Sequence, residues 1–164
     1  MCGDRVYRIT DVSGISPGDI RSVNLELLKR DDSPYDIPPG RTKLGVRKRV
    51  RRVPDEDLQR LFEEFPIEQP LCDQCALWFH AVAGNHFFPD ANHRTAVTTL
   101  REILTQNALD EYVTWPTEPL VDAIKESKRI RQAVTIDLGS LYQRTRLYEH
   151  WYQFFDDVIA LPER

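Results

Sequence analysis

Apolar side chains recur at the spacing of an α-helix along most of this chain, and this periodicity constrains the fold more than any other feature. From about Pro54 to Ile159, apolar residues stand three or four positions apart in successive segments. Alternation of apolar and polar residues, which is typical of half-buried strands, is rare. The 164 residues suffice for one hydrophobic core and are few for two. The sequence therefore predicts a single all-α domain.

Helix-start signals divide the chain into three parts. Residues 1–53 are expected to hold an N-terminal helix, a loop and a basic flap, residues 54–108 the central helices, and residues 109–164 the C-terminal helices. The most apolar helix is predicted from about Pro70 to Ala83, and the last from about Leu138 to Ile159. The predicted helices begin near Ser16, Pro54, Pro70, Asn92, Thr117 and Leu138, and the helix from Asn92 is expected to end at Asn107.

One segment is strongly basic although the whole chain has a net charge of −4. Residues 41–52 contain seven arginines and lysines and no acidic residue. Leu44 and Val46 alternate with polar neighbours there, which favours a short strand or flap. This flap is the only β structure that we expect in the otherwise all-α domain. Such a segment is either a solvated edge or a binding surface for an anionic partner, such as a phosphorylated ligand, nucleic acid or an acidic protein face.

Several protein classes are excluded by composition. The longest nearly apolar run, Cys75–Ala83, is far shorter than the ~20 residues of a membrane span. The first eight residues lack the apolar core of a secretory signal, and three cysteines cannot form a closed set of disulfides. We therefore expect a cytoplasmic protein with no membrane partner. Cys72 and Cys75 form a Cys-x-x-Cys pair, but no second pair completes a zinc site, which favours core thiols.

The segment between the predicted Pro70–Ala83 helix and the helix near Asn92 concentrates chemically active side chains. Phosphate is the anion that the N-terminus of the second helix would attract, because unpaired amide groups and the helix dipole point there. Arg94 can hold phosphate oxygens with two donors and Asn92 can add a neutral one. Asp90 is placed to hold Mg²⁺ together with substrate phosphates. His86 can take a proton from an attacking hydroxyl at neutral pH.

Each of these residues also has a purely structural explanation. Asp90 and Asn92 are both common near helix N-termini, and His86 would fit a helix end. Their joint order is much harder to explain by capping alone. The sequence therefore predicts a site for phosphoryl or nucleotidyl transfer.

This segment resembles the signature of the Fic/Doc (Fido) superfamily. It reads His86-Phe87-Phe88-Pro89-Asp90-Ala91-Asn92-His93-Arg94, and its Asp-Ala-Asn-x-Arg-Thr-Ala part is most similar to the death-on-curing (Doc) toxin branch. The resemblance covers residues 84–100. It implies a Fic/Doc-like helical domain that transfers a phosphate, or a nucleoside monophosphate, from a nucleotide to a Ser, Thr or Tyr hydroxyl of a target protein.

The resemblance also implies roles and partners. His86 matches the general base, Asp90 the Mg²⁺ ligand, and Ala91, Asn92, His93 and Arg94 the nucleotide- and phosphate-binding positions. The co-substrate would be a nucleoside triphosphate, and ATP is the first candidate. Arg47, Lys48 and Arg49 lie roughly where family members dock the target's modified segment. The partners would be a target protein, with the translation machinery as one candidate, and a separate antitoxin.

Two departures bear on the group transferred. In adenylylating members Gly occupies the place of His93, and a second Arg that of Val97. A bulky residue at position 93 resembles the Doc branch, which favours kinase-like phosphate transfer over AMPylation. The His93 side chain would either add charge beside Arg94 or lie in solvent. The alternative function is a non-catalytic protein of this fold that binds nucleic acid or protein through residues 41–52.

Overall fold

The computed structural model describes residues 7–30, 32 and 34–162, so Cys2 and the rest of the N-terminal hexapeptide lie outside it. The described residues form a single all-α domain around one core, and their only β pairing is an isolated bridge between Val113 and Ile159. The helices are α1 (Pro17–Lys29), α2 (Lys43–Arg51), α3 (Asp55–Glu63), α4 (Leu71–Phe79), α5 (Asn92–Gln106), α6 (Thr117–Arg131) and α7 (Arg146–Val158).

Helix α4 lies at the centre of the fold. Nearly every residue from Leu71 to Phe79 is buried, as the apolar composition predicts. Helices α5 and α7 pack against it, and α1 covers α5 on the outside. The aromatic side chains of α7 belong to this core, where Trp151 meets Phe79 edge-on at 4.5 Å between ring centroids. The aromatic cluster is therefore packing, with Tyr152 as its partly exposed margin.

The expected β flap is wrong, because the basic segment forms helix α2. Thr42 caps the helix by accepting a hydrogen bond from the Gly45 amide, and Val46 and Val50 are fully buried four residues apart. Leu44 is 56% exposed. The apparent alternation of Leu44 and Val46 was misleading, since the spacing that matters is Val46 to Val50.

Two further helix boundaries differ from the expectation. The chain after α4 continues as a wide π-helical turn, His80–Gly84, instead of a regular helix. The last helix begins at Arg146, because residues 138–145 form turns. In contrast, the start after Ser16 and the end of α5 at Asn107 are as predicted. No helix in the described part of the chain is long and apolar enough to cross a membrane.

The π-helical turn delivers the chain to the signature loop, residues 85–91. His80 anchors the turn, because its two ring nitrogens contact the Leu141 carbonyl at 2.6 Å and the Thr145 hydroxyl at 2.8 Å. Gly84 lies so close to residue 136 that a Cβ there would be 2.5 Å from Ile136 Cδ1. The close approach explains the glycine, and π-helical turns are frequent beside functional sites.

Candidate functional site

The signature loop has a strained backbone at both of its ends. His86 and Ala91 adopt φ angles of 57° and 62°, in the left-handed region that residues other than glycine rarely enter. Such conformations cost on the order of 1 kcal/mol each and persist only where the surroundings enforce them. Ala91 is also the residue before α5, and no side chain caps that helix. The amide groups of the first turn of α5 thus emerge beside the loop.

Asn92 braces the loop through all of its side-chain hydrogen-bonding groups. Its Oδ1 accepts from the Phe88 amide at 3.0 Å, while Nδ2 donates to the Phe88 carbonyl at 2.9 Å and to His86 Nδ1 at 3.1 Å. Phe88 is 1% exposed and anchors this arrangement in the core. The expected role of the Asn92 side chain as a phosphate donor is therefore not what the structure shows, because its amide is buried and engaged.

The bond from Asn92 sets the protonation of His86. An amide nitrogen only donates, so Nδ1 is the acceptor and the neutral ring carries its hydrogen on Nε2. The hydrogen bond to the Pro89 backbone favours the charged ring, but its effect is smaller than those of burial and the nearby Arg131 guanidinium. Partial burial and the nearby Arg131 guanidinium lower the pKa of His86 below its usual 6.5. The imidazole is therefore neutral at pH 7.

Asp90 is held by α1 and by a short segment before α2. Asn24, fully buried in α1, donates to the Asp90 carbonyl at 2.9 Å and to Thr95 Oγ1 at 3.0 Å. The Tyr35 hydroxyl donates to Asn24 Oδ1 at 3.0 Å and accepts from the Asp90 amide at 3.2 Å. Burial raises the pKa of Tyr35 to about 12, so the hydroxyl stays protonated. The sequence reading missed both Asn24 and Tyr35.

Residues 34–36, here called the strap, also contact the two charged groups of the signature. Arg94 donates to the Pro34 carbonyl at 2.6 Å, and the Asp36 amide donates to Asp90 Oδ2 at 2.6 Å. The Arg94 and Asp90 side chains come within 3.9 Å of each other and stay 29% and 24% exposed. Both groups are thus accessible, but each contacts backbone atoms of the chain's own strap.

A cavity of about 340 Å³ opens beside the strap at the start of α5. Residues 90–94 form one wall, and helix α6 forms the opposite wall with Val121, Ile124, Lys125 and Lys128. The sequence reading gave α6 no role in the site. The available signal was the spacing of these four residues, which repeats every three or four positions and so defines one face of a helix.

The His93 side chain does not take part in the site in either of the expected ways. It is 6% exposed and its Nε2 contacts the Ser127 hydroxyl of α6 at 2.7 Å. Burial and the neighbouring lysine and arginine charges lower the pKa of His93 to about 3. The expectations that it adds charge beside Arg94 or lies in solvent are both wrong. Its side chain joins α5 to α6, and His93 is also one of the residues that line the cavity at the start of α5.

The donor set fits a magnesium ion that reaches the site with a polyphosphate. The described residues contain no cluster of three histidine, cysteine or acidic side chains that would hold a metal alone. Asp90 offers a single accessible carboxylate, and Mg²⁺ characteristically combines one or two carboxylates with substrate phosphates and water. The other candidate ligands, Cys72 and Cys75, are free thiols, and burial raises the pKa of Cys72 to about 12.

The proposed docking residues lie on α2. Lys48 and Arg49 are exposed and Arg47 is partly exposed. The positive charge of Arg49 acts on Tyr35 of the strap and lowers its pKa against the larger effect of burial. The basic helix is therefore close enough to the strap for its charge to act on Tyr35.

Comparison of the chain with models of known families, with curated proteins and with solved structures found no match in any of the three.

Proposed function

We propose that this protein is a Fic/Doc-like transferase that moves a phosphate, or a nucleoside monophosphate, from a nucleoside triphosphate to a Ser, Thr or Tyr hydroxyl of a target protein. The observation that carries the proposal is the joint placement of His86, Asp90 and Arg94 around the start of α5. The Asp90 carboxylate and the Arg94 guanidinium line an open cavity at the start of α5, where no side chain caps the helix, and the His86 imidazole is hydrogen-bonded to Asn92, the first residue of that helix. A binding protein has no need for a base and a metal ligand at one helix end.

The reaction needs a base that is neutral at physiological pH. His86 meets this requirement, because its pKa is lowered. The hydroxyl oxygen of the target attacks phosphorus, its proton passes to the imidazole, and the nucleoside diphosphate, or pyrophosphate for nucleotide transfer, departs. The ring nitrogen without a hydrogen in the resting site is Nδ1, so the Asn92 Nδ2 donor must give way there to the hydroxyl of the target.

Asp90 and Arg94 would act on the phosphates. Mg²⁺ held by Asp90 and the phosphate oxygens would neutralise the charge that develops on the leaving group. The Arg94 guanidinium can bind two phosphate oxygens at once through parallel donors. The amides at the start of α5, including those of Asn92 and His93, supply further donors. Ala91 leaves room there because its side chain is a single methyl group.

The strap must yield part of its contacts when substrate binds. Asp90 would exchange the Asp36 amide for the cation, and Arg94 would exchange the Pro34 carbonyl for a phosphate oxygen. Each exchange gives up one hydrogen bond to a charged group, worth about 1.5–3 kcal/mol, for an interaction between full charges. The link from Tyr35 to Asn24 can stay intact, so the loop keeps its backbone support.

The basic helix supplies the docking surface in this proposal. Arg47, Lys48 and Arg49 would attract an acidic segment of the target, and their position beside the strap directs that segment toward His86. The protein would act in the cytoplasm as the toxin of a toxin–antitoxin pair, with a separate antitoxin restraining it.

Labelled nucleotides separate the candidate reactions. The protein is incubated with a bacterial lysate, Mg²⁺ and ATP labelled at either the α or the γ phosphate. Protein-bound label from the γ position alone indicates phosphate transfer, which we expect, and label from the α position indicates nucleotide transfer. Either must vanish with His86→Ala. Absence of label from the wild-type protein and the variant alike would contradict the proposal.

A second arm tests the alternative function. If the basic helix binds nucleic acid, salt-dependent binding to bare RNA or DNA is lost when Arg47, Lys48 and Arg49 are all changed to Gln. If it docks a protein target, the same triple variant lowers target modification while ATP binding stays unchanged.

A further inference from the structure

Helix α6 presents two lysines to the cavity at the start of α5. Lys125 and Lys128 line it together with Val121 and Ile124, directly across from Asp90 and Arg94. Among the residues that the structure describes, neither lysine has a hydrogen bond or an ion pair with another side chain. The acidic residue between them, Glu126, instead pairs with Arg129 on another face of the helix.

The charges around the cavity are unbalanced. Three cations, Arg94, Lys125 and Lys128, face a single carboxylate, that of Asp90. Like charges that share a concave surface repel one another, and a bound anion relieves that repulsion. A triphosphate suits this set because it remains negatively charged after Mg²⁺ has bound to it.

The α6 face that lines the cavity also has an apolar half, so a matching ligand needs an apolar part as well as negative charge. Val121 is 44% exposed although it lines a cavity, and Ile124 is partly buried beside it. Val121, Ile124, Lys125 and Lys128 follow one another at positions i, i+3, i+4 and i+7, so one helix face changes from apolar to cationic along its length. A ligand with a flat apolar end and a polyanionic end matches both halves.

The position of α6 is fixed by buried contacts. Ser127 contacts His93 Nε2 at 2.7 Å and accepts from Trp151 Nε1 at 3.1 Å, and Arg131 donates to the Gly84 carbonyl at 3.2 Å. These bonds tie α6 to the first turn of α5, to α7 and to the π-helical turn. The lysines therefore stand on a rigid helix, so that only their own side chains need to be ordered when a ligand binds.

We infer that Lys125 and Lys128 form a polyphosphate-binding wall on α6 that selects nucleoside triphosphates over monophosphates, with Val121 and Ile124 against the nucleoside. This inference rests on the proposed function for its substrate class. It assigns part of the nucleotide specificity to a helix outside the signature loop. Each lysine contributes a charge-assisted contact that a monophosphate is too short to use fully.

Equilibrium binding tests the inference without any need for catalysis. Calorimetric titrations use Mg²⁺-ATP, AMP and inorganic tripolyphosphate with the wild type, Lys125→Gln, Lys128→Gln and the double variant. We expect each substitution to weaken ATP and tripolyphosphate binding about tenfold, with AMP affected about threefold or less. A variant that carries both Lys125→Arg and Lys128→Arg keeps the two positive charges and should bind ATP and tripolyphosphate like the wild type. Lys29→Gln on α1, where the lysine pairs with Glu26, is the matched control and should bind like the wild type.

The possible outcomes separate this inference from the proposed function. Failure of the wild type to bind tripolyphosphate would overturn the inference, and so would a double variant within about twofold of the wild type. An equal loss in Lys29→Gln would do the same. If lysine-dependent binding is found but no label reaches any protein, the polyphosphate wall stands and the transferase proposal fails. If label transfer occurs with an unchanged KM for ATP in the double variant, the transferase proposal stands and the wall fails.

Discussion

The starts of α1 and α5 show two different uses of a helix N-terminus. Ser16 and Asp19 form a complete capping box at α1, in which the Ser16 hydroxyl accepts from the Asp19 amide and the Asp19 carboxylate accepts from the Ser16 amide. At α5 the preceding residue is Ala91 in a left-handed conformation, and no side chain caps the helix. Capping by local side chains serves stability, whereas the strained start of α5 leaves its amides for another partner.

The difference extends to what surrounds the two helix ends. Asp19 is an acidic residue in the first turn of α1, which complements the helix dipole within the chain itself. The first turn of α5 contains no acidic residue, and cations from α5 and α6 face it. Substitutions at α1 should therefore change stability alone, and those at α5 should change chemistry.

The largest expected effect is on catalysis at the signature loop that leads into α5. His86→Ala should lower the transfer rate by about 10²–10⁴-fold, because the proton acceptor is lost. His86→Asn should be equally inactive, and Asn tolerates the positive φ at this position. The measurement is label transfer from ATP. Thermal unfolding of both variants should stay close to that of the wild type, and a parallel loss of stability would make His86 a structural residue.

Acid should destabilise the fold through a buried residue in the first turn of α5. The pKa of His93 is about 3 in the folded protein and near 6.5 when unfolded, so between these values the unfolded chain binds the extra proton. This contribution is fully present above pH 6.5 and falls by about 1.4 kcal/mol per pH unit below it. Urea unfolding from pH 7 to pH 4 measures the slope. His93→Gln should flatten it, and an unchanged slope would count against His93.

The support of the signature loop can be tested at Tyr35. Tyr35→Phe removes the hydroxyl that joins Asn24 Oδ1 to the Asp90 amide, and leaves both partners short of a bond. We expect a loss of about 1–3 kcal/mol in the free energy of unfolding. Tyr152→Phe, at a partly exposed position of α7, is the matched control and should cost less. Equal losses in the two variants would show that the Tyr35 network lends the loop no special support.

The smallest effects should have opposite signs at the two helix starts. Ser16→Ala breaks the capping box and should destabilise the protein by about 1 kcal/mol. Ala91→Gly relieves the left-handed strain and should stabilise it by up to about 1 kcal/mol. Chemical denaturation measures both. A stability loss in Ala91→Gly would mean that the packing of the Ala91 methyl group stabilises the protein by more than the left-handed backbone costs. That result would contradict the contrast between the two helix starts.

The sequence was sufficient where local signals and burial agree. Ser16 and Pro17 predicted the start of α1, and Asn107 predicted the end of α5. The apolar composition of residues 71–79 identified the central helix. The sequence was misleading at α2, where Leu44 and Val46 suggested the alternation of apolar and polar residues that is typical of a strand. In the structure Val46 and Val50 are buried and Leu44 is exposed. The π-helical turn could not be predicted, since the contacts of His80 with Leu141 and Thr145 that accompany it join residues more than sixty positions apart.

The site was only half visible in the sequence. The signature loop stands in one continuous stretch, so His86, Asp90 and Arg94 could be proposed as site residues from their order. The supporting residues come from distant parts of the chain, because Asn24 and Tyr35 reach the loop only through the packing of α1 and the strap. Lys128 likewise reaches the cavity only through the packing of α6. The burial of His93 depends on Ser127, thirty-four positions away, and no local pattern indicates it.

The most direct test of the contrast is an amide NMR titration with Mg²⁺-ATP. The amide signals of Asn92 and His93 at the start of α5 should shift with saturation, together with those of α6 near Lys128. The signals of Gly18 and Asp19 at the start of α1 should stay in place, because that helix end is already capped. Equal shifts at both helix starts, or none at α5, would contradict the account.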